Sequence, residues 1–179
     1  MAAAGQGSGT LSGGLPVNAI GEGEPVLVLQ GLTFENRALS GLEERFGLGM
    51  FRALAGHRRV YVVNRRPGMA RDTTLSEMAA DYTAMIEADF EPPLDVIGLS
   101  SGGSIGFHLA AEHPQLVRRL VLQDCGPRLT EAGRDFARTV GPRAEAGEWR
   151  SVSRIFIELV QPDNVIGHAL AGLLAPLMA

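Results

Sequence analysis

The chain has 179 residues, 45% of them hydrophobic and 20% charged, which is enough for one soluble globular domain that buries roughly two thirds of its unfolded surface. The net charge is −4 and all 16 basic residues are arginine; nucleic acid is therefore not an expected partner, and Schiff-base chemistry and Walker-type phosphate binding lack their lysine. A single cysteine, Cys125, excludes an internal disulfide and any multi-cysteine metal site, and no metal is expected; following an apolar run, it reads as buried and inert.

No apolar stretch reaches the ~20 residues of a bilayer span, so no membrane span is expected and the cytoplasm is the expected compartment. The first residues, Met1 to Thr10, are rich in Ala, Gly and Ser without a basic start or an apolar core. They read as part of a flexible tail over residues 1–14 and not as a signal peptide. Gly5, Gly7 and Gly9 follow no strand, so their spacing is no dinucleotide fingerprint.

Leu15 to Ile20 reads as an opening antiparallel strand before the turn Gly21-Glu22-Gly23-Glu24. Pro25 to Gln30 and Arg59 to Asn64 are apolar runs of strand length, with a short helix from Phe51 to Gly56 between them. Thr74 to Phe90 carries Leu75, Met78, Ala79, Tyr82, Met85 and Ile86 at helical spacing. Leu94 to Leu99 is a third apolar strand, Ser104 to Ala111 a helix that stops near His113-Pro114, and Leu120 to Gln123 a fourth strand. Continuous apolar strands separated by helices predict an α/β fold, a mainly parallel sheet with helices on both faces.

The third strand ends in Gly98-Leu99-Ser100-Ser101-Gly102. A serine on a tight strand-to-helix turn is held in strained backbone geometry with its hydroxyl pushed out of the sheet edge. Gly98 and Gly102 remove side chains that would collide there, and Gly103 lets the helix start close to the strand. The helix N-terminus then directs N–H groups and its positive dipole end at the serine, which suits an anionic intermediate. The alternative is a Gly/Ser turn in which Ser100 only caps the helix.

Four features in this order resemble the α/β-hydrolase superfamily, in its esterase, lipase and haloperoxidase-like branch, over about Leu15 to Arg128. They are the strand entering Gln30-Gly31-Leu32, the basic turn Asn64-Arg65-Arg66-Pro67-Gly68, the serine turn, and Val121-Leu122-Gln123-Asp124 after Glu112-His113-Pro114. The resemblance implies Ser100 as nucleophile of a serine esterase, with the amides of Leu32 and Ser101 as oxyanion hole. Gln30 stands where the family commonly has a histidine. A small ester or related acyl compound is the implied substrate, and no cofactor is implied.

By the same resemblance residues 15–129 are the hydrolase core, and residues 130–179 a helical, cap-like segment. In that segment Trp149, Val152, Ile155, Phe156, Leu159 and Val160 recur at helical spacing, as do Ile166, Leu170, Leu173 and Leu174. The family's order of serine, acid and histidine predicts later strands and loops that do not appear before Ala179, so the chain reads as a shortened member or as a compact one with a rearranged triad. Among the histidines, His57, His108 and His113 read as helix-end or surface residues. His168, a few residues after Asp163, has the look of the family's histidine loop, and Asp124 stands where some members carry the acid. With the later strands absent, Leu120 to Gln123 is expected to be an open sheet edge prone to self-association as a homo-oligomer. The competing readings are a non-catalytic binding module that keeps the pocket, and an assembly protein that uses this edge.

Overall fold

The computed structural model describes residues 7–33, 35–126 and 128–160. The chain divides into two compact units, residues 1–127 and 128–179.

The first unit is built on a six-stranded sheet: β1 (Gly7–Leu11), β2 (Leu15–Ile20), β3 (Pro25–Leu29), β4 (Arg59–Val63), β5 (Leu94–Leu99) and β6 (Val117–Gln123). Their spatial order is β1-β2-β4-β3-β5-β6. β1 pairs antiparallel with β2, and β2 with β4, whereas β4, β3, β5 and β6 run parallel. The helices are α1 (Gly41–Gly49), α2 (Arg52–Ala55), α3 (Leu75–Asp89) and α4 (Ser101–Glu112).

Alternation along the central strands sends successive side chains to opposite faces. Leu27, Leu29, Tyr61 and Val63 join Ala79, Tyr82, Met85 and Ile86 of α3 and Ile105 and Leu109 of α4 in one core. Val28, Val60 and Val62 join Leu39, Leu48 and Phe51 on the other face. Both faces of the mainly parallel sheet are thus covered, as the apolar runs predict. α3 starts in a capping box: Thr74 Oγ1 accepts from Glu77 N–H at 3.2 Å and the Glu77 carboxylate from Thr74 N–H at 2.7 Å. The Tyr82 hydroxyl donates to the Val63 carbonyl at 3.2 Å, which ties α3 to β4.

Two elements differ from the sequence reading. Gly7–Leu11, expected within the flexible tail, is β1. Backbone pairing with β2 does not depend on side-chain type, Leu11 is buried, and the Asp89 carboxylate accepts from both the N–H and the hydroxyl of Ser12 at 2.7 Å. Gly41–Gly49, for which no element is expected, is α1. Its Leu42 and Phe46 point outward, and Leu48 anchors it, so its apolar spacing is not that of a core-facing helix.

At the N-terminal ends of the parallel strands, Asp95 gathers three arginines. Its carboxylate accepts from Arg58 at 2.7 Å, from Arg118 at 2.9 Å through two nitrogens, and from Arg119 at 3.1 Å. The Asp95 side chain is 14% exposed. The hydrogen bonds from Arg118, with those from Arg58 and the surrounding positive charge, outweigh its partial desolvation and hold its carboxyl well below the usual carboxylate range. A carboxylate depressed in the folded state contributes stability that is fully present above its unfolded value, about 3.9, and is lost as pH falls towards the folded one. Asp95→Asn is therefore expected to lower the melting temperature at pH 7 by a few degrees and to flatten the loss of stability below about pH 4. Equal acid sensitivity of the two proteins in thermal melts would contradict this assignment.

The second unit contains α5 (Glu131–Glu145) and α6 (Trp149–Val160). Thr130 Oγ1 caps α5 by accepting from Gly133 N–H at 3.2 Å. The rings of Phe136 and Phe156 lie 6.3 Å apart, and Val140 and Val152 are buried. Ile166, Leu170, Leu173 and Leu174 lie outside the described residues.

Candidate active site

Ser100 stands between the last residue of β5 and the first of α4, with φ 48° and ψ −120°. A positive φ at a non-glycine residue costs on the order of 1–3 kcal/mol and persists only where its surroundings over-determine it. Here the Ser100 N–H donates to the Gln123 carbonyl of β6 at 2.9 Å, while the Ser100 carbonyl accepts from Gly103 N–H at 2.9 Å.

Three glycines make room for the turn. A Cβ at Gly98 would lie 2.5 Å from Gly103 Cα, and one at Gly103 2.7 Å from Cys125 Cβ. One at Gly102 would overlap the Leu29 carbonyl oxygen and lie 2.6 Å from that of Gln30. The strand–helix joint is therefore closed against every side chain at these positions. Cys125, expected to be buried, is half-buried and packs into the space that Gly103 leaves.

The end of β3 approaches the same turn. A Cβ at Gly31 would lie 3.4 Å from Ser100 Cβ, so the Gly31-Leu32 segment runs directly beside the serine. Neither the Leu32 N–H nor the Ser101 N–H has a hydrogen-bond acceptor among the described residues. Ser100 is exposed, and its hydroxyl makes no hydrogen bond among them. The arrangement offers a hydroxyl held out of the sheet edge and two free backbone donors from separate segments.

The turn after β4 completes the corner. Asn64 Nδ2 donates to Thr33 Oγ1 at 3.1 Å and to the Arg37 carbonyl at 3.0 Å, which fastens the loop after β3. Arg65 is only 6% exposed. It donates to the Gly31 carbonyl and to Ser101 Oγ, both at 3.1 Å, and to Asn36 Oδ1 at 3.4 Å. Burial lowers its pKa. The sequence marks only a basic turn at Asn64-Arg65-Arg66; no local pattern tells which arginine turns inward. Arg66 instead pairs with Asp81 at 2.7 Å.

Asp124 follows β6 directly and has φ 52°. Since Leu99 pairs with Gln123, Asp124 stands beside Ser100 at the C-terminal ends of neighbouring strands. His57 precedes β4 and His113 precedes β6, so both lie at the far end of the parallel strands. His108 is two turns along α4, where its Nδ1 is 2.8 Å from Glu112. The structure brings none of these three to Ser100; His168 and Asp163 lie outside the described residues. Among the described residues no group of three His, Cys, Asp or Glu could hold a metal ion, and no helix is long and apolar enough to cross a membrane.

The family model described as the alpha/beta hydrolase fold matches residues 24–146. The chain belongs to this family. Among curated alpha/beta hydrolase relatives, it is similar to a pimeloyl-[acyl-carrier protein] methyl ester esterase of Chromobacterium violaceum, 32% identical over 113 residues, which are 63% of this chain and 41% of that protein. A protein of the same name from Neisseria meningitidis is 45% identical over 56 residues, 31% of this chain and 21% of its own. The chain thus spans less than half the length of these relatives.

Among solved structures, a thermophilic esterase from Thermogutta terrifontis matches 98% of the chain and 66% of its own length with TM-score 0.68 at 18% identity. A hydrolase from Pseudomonas aeruginosa matches 99% and 68% with TM-score 0.66 at 22% identity. These likenesses concern the alpha/beta hydrolase fold alone.

Proposed function

We propose that this chain carries the nucleophile and oxyanion half of a serine hydrolase acting on a small ester or related acyl substrate. The single observation that carries the reading is the corner at Ser100: a serine at φ 48° on a strand–helix joint that three glycines make room for, beside two backbone donors with no acceptor among the described residues. The names of the curated relatives, methyl ester esterases, agree with ester chemistry.

In the proposed mechanism, Ser100 Oγ attacks the acyl carbonyl, and its proton passes to a histidine that follows Asp124 in the order serine, acid, histidine. Within this sequence His168 is the candidate for that histidine; a continuation of the chain is the alternative source. The carbonyl oxygen becomes an oxyanion received by the Leu32 and Ser101 N–H groups and by the N-terminal end of α4. Collapse of the tetrahedral intermediate expels the alcohol, protonated by the histidine, and leaves an acyl-Ser100 ester. Water, deprotonated by the same histidine, then releases the acid and restores the serine. Asp124 is proposed as the acid, and α5 with α6 as a cap-like segment. Hydrolysis of p-nitrophenyl esters of graded acyl length by the purified chain tests the reading, with turnover above the Ser100→Ala background expected for at least one of them. A chain that is folded and shows no such turnover contradicts it.

The exposed flank of β6 supports a second property. Among the described residues β6 pairs only with β5, and its Val121 is 56% exposed. We propose that β6 pairs with a second copy of the chain. Sedimentation velocity over a concentration series is expected to show a dimer that Val121→Lys shifts to monomer; a monomer at every concentration contradicts it.

A further inference from the structure

Arg65 is buried without a carboxylate. Among the described residues it makes no ion pair, in contrast to its neighbour Arg66, which has Asp81. Removing a guanidinium from water costs several kcal/mol unless an anion repays it. Its three acceptors are all neutral: the Gly31 carbonyl, the Ser101 hydroxyl and the Asn36 side-chain oxygen.

Two of these acceptors belong to the corner at Ser100. The Gly31 carbonyl and the Leu32 N–H are the two ends of one peptide group, and in a trans peptide they point in opposite directions. A hydrogen bond that fixes the carbonyl therefore also fixes where the Leu32 N–H is aimed. Ser101, held by the second arm of the same guanidinium, bears the other free N–H. The planar fork sets the separation of the two segments, which an ammonium on a flexible stem cannot do.

We infer that Arg65 is the positioning residue and the fixed counter-charge of the anion-receiving corner at Ser100. This rests on the acyl-transfer reading above, in which the missing anion is the oxyanion formed during the reaction. A buried cation with neutral partners in the resting state, and an anion that forms across the Gly31-Leu32 peptide from it in the transition state, favours the transition state selectively. The charge acts through space on the oxyanion, while the two hydrogen bonds aim the donors that touch it.

The test compares wild type, Arg65→Met and Arg65→Lys. The rate of covalent labelling by a fluorophosphonate, whose phosphoryl oxygen takes up negative charge in this corner as fluoride is displaced, is expected to fall about 100-fold in Arg65→Met, as does kcat, with KM changed less than about threefold. Arg65→Lys keeps the charge without the fork and is expected to regain part of that loss. A merely structural arginine would shift the urea midpoint without dividing kcat from KM. Labelling and kcat within threefold of wild type in Arg65→Met would overturn the inference.

Amide signals in NMR separate this from the functional reading. In Arg65→Met the Leu32 and Ser101 amide signals are expected to shift and broaden, while those of Leu27 to Leu29 stay unchanged. Unchanged Leu32 and Ser101 amides overturn the clamp whether or not wild type reacts. Wild type that is never labelled overturns the acyl-transfer reading and the counter-charge with it, and the amide signals still decide the clamp.

Discussion

Replacing Ser100 by alanine is expected to lower ester hydrolysis by roughly four powers of ten or more, with little change in the folded fraction. Removing a nucleophile from a serine–base pair disables the whole unit, because the base has nothing to activate and the residual rate comes from binding and the oxyanion donors alone. The structural cost is small: Ser100 is exposed and its hydroxyl makes no hydrogen bond among the described residues. The strained φ of 48° stays with the backbone in either variant. Steady-state turnover at saturating and low ester concentration checks this, and a variant that keeps a tenth of the wild-type kcat/KM would show that hydrolysis does not pass through Ser100.

Gly102→Ala has the largest expected effect on stability. The new methyl group would meet two backbone oxygens, those of Leu29 and Gln30, and neither can rotate away as a side-chain tip could. Relief requires β3 and the start of α4 to separate, against a sheet that pairs β3 with β5 from Val26 to Leu29. Overpacking in a well-filled core costs about 1–3 kcal/mol when side chains can adjust. Against backbone we expect about 3 kcal/mol or more. The separation also moves Gly31 and Leu32 away from Ser100, so activity should fall further than the folded fraction. Urea denaturation measures the first effect and turnover per folded molecule the second. A loss below about 0.5 kcal/mol would mean that the joint is looser than its geometry indicates.

The fold was legible where side-chain pattern and backbone demand coincide. β3 and β4 are buried on both faces, so their runs of Val and Leu mark them directly, and the helical spacing from Leu75 to Ile86 marks α3. Gly98, Gly102 and Gly103 were legible because close backbone approach leaves glycine alone. β1 was not, since its stability comes from pairing with β2, a partner that composition does not register. α1 was not, because three of its nine residues are glycine and its apolar residues mostly face outward.

At the candidate site the same division holds. Ser100 and Ser101 stand in a motif whose spacing has a steric reason. Arg65 and Asn64 act through hydrogen bonds to residues about 30 positions away in the chain, Gly31 and Ser101 for the one and Thr33 for the other. Such contacts are created by the strand order β4-β3-β5, not by any local pattern.

The central claim is that Ser100 is an activated nucleophile, and intact-mass spectrometry of the purified chain after exposure to a fluorophosphonate tests it most directly. We predict one phosphonyl group per chain, located on the peptide that contains Ser100 and absent from Ser100→Ala. A folded chain whose mass does not change, or an adduct that persists in Ser100→Ala, would contradict the account.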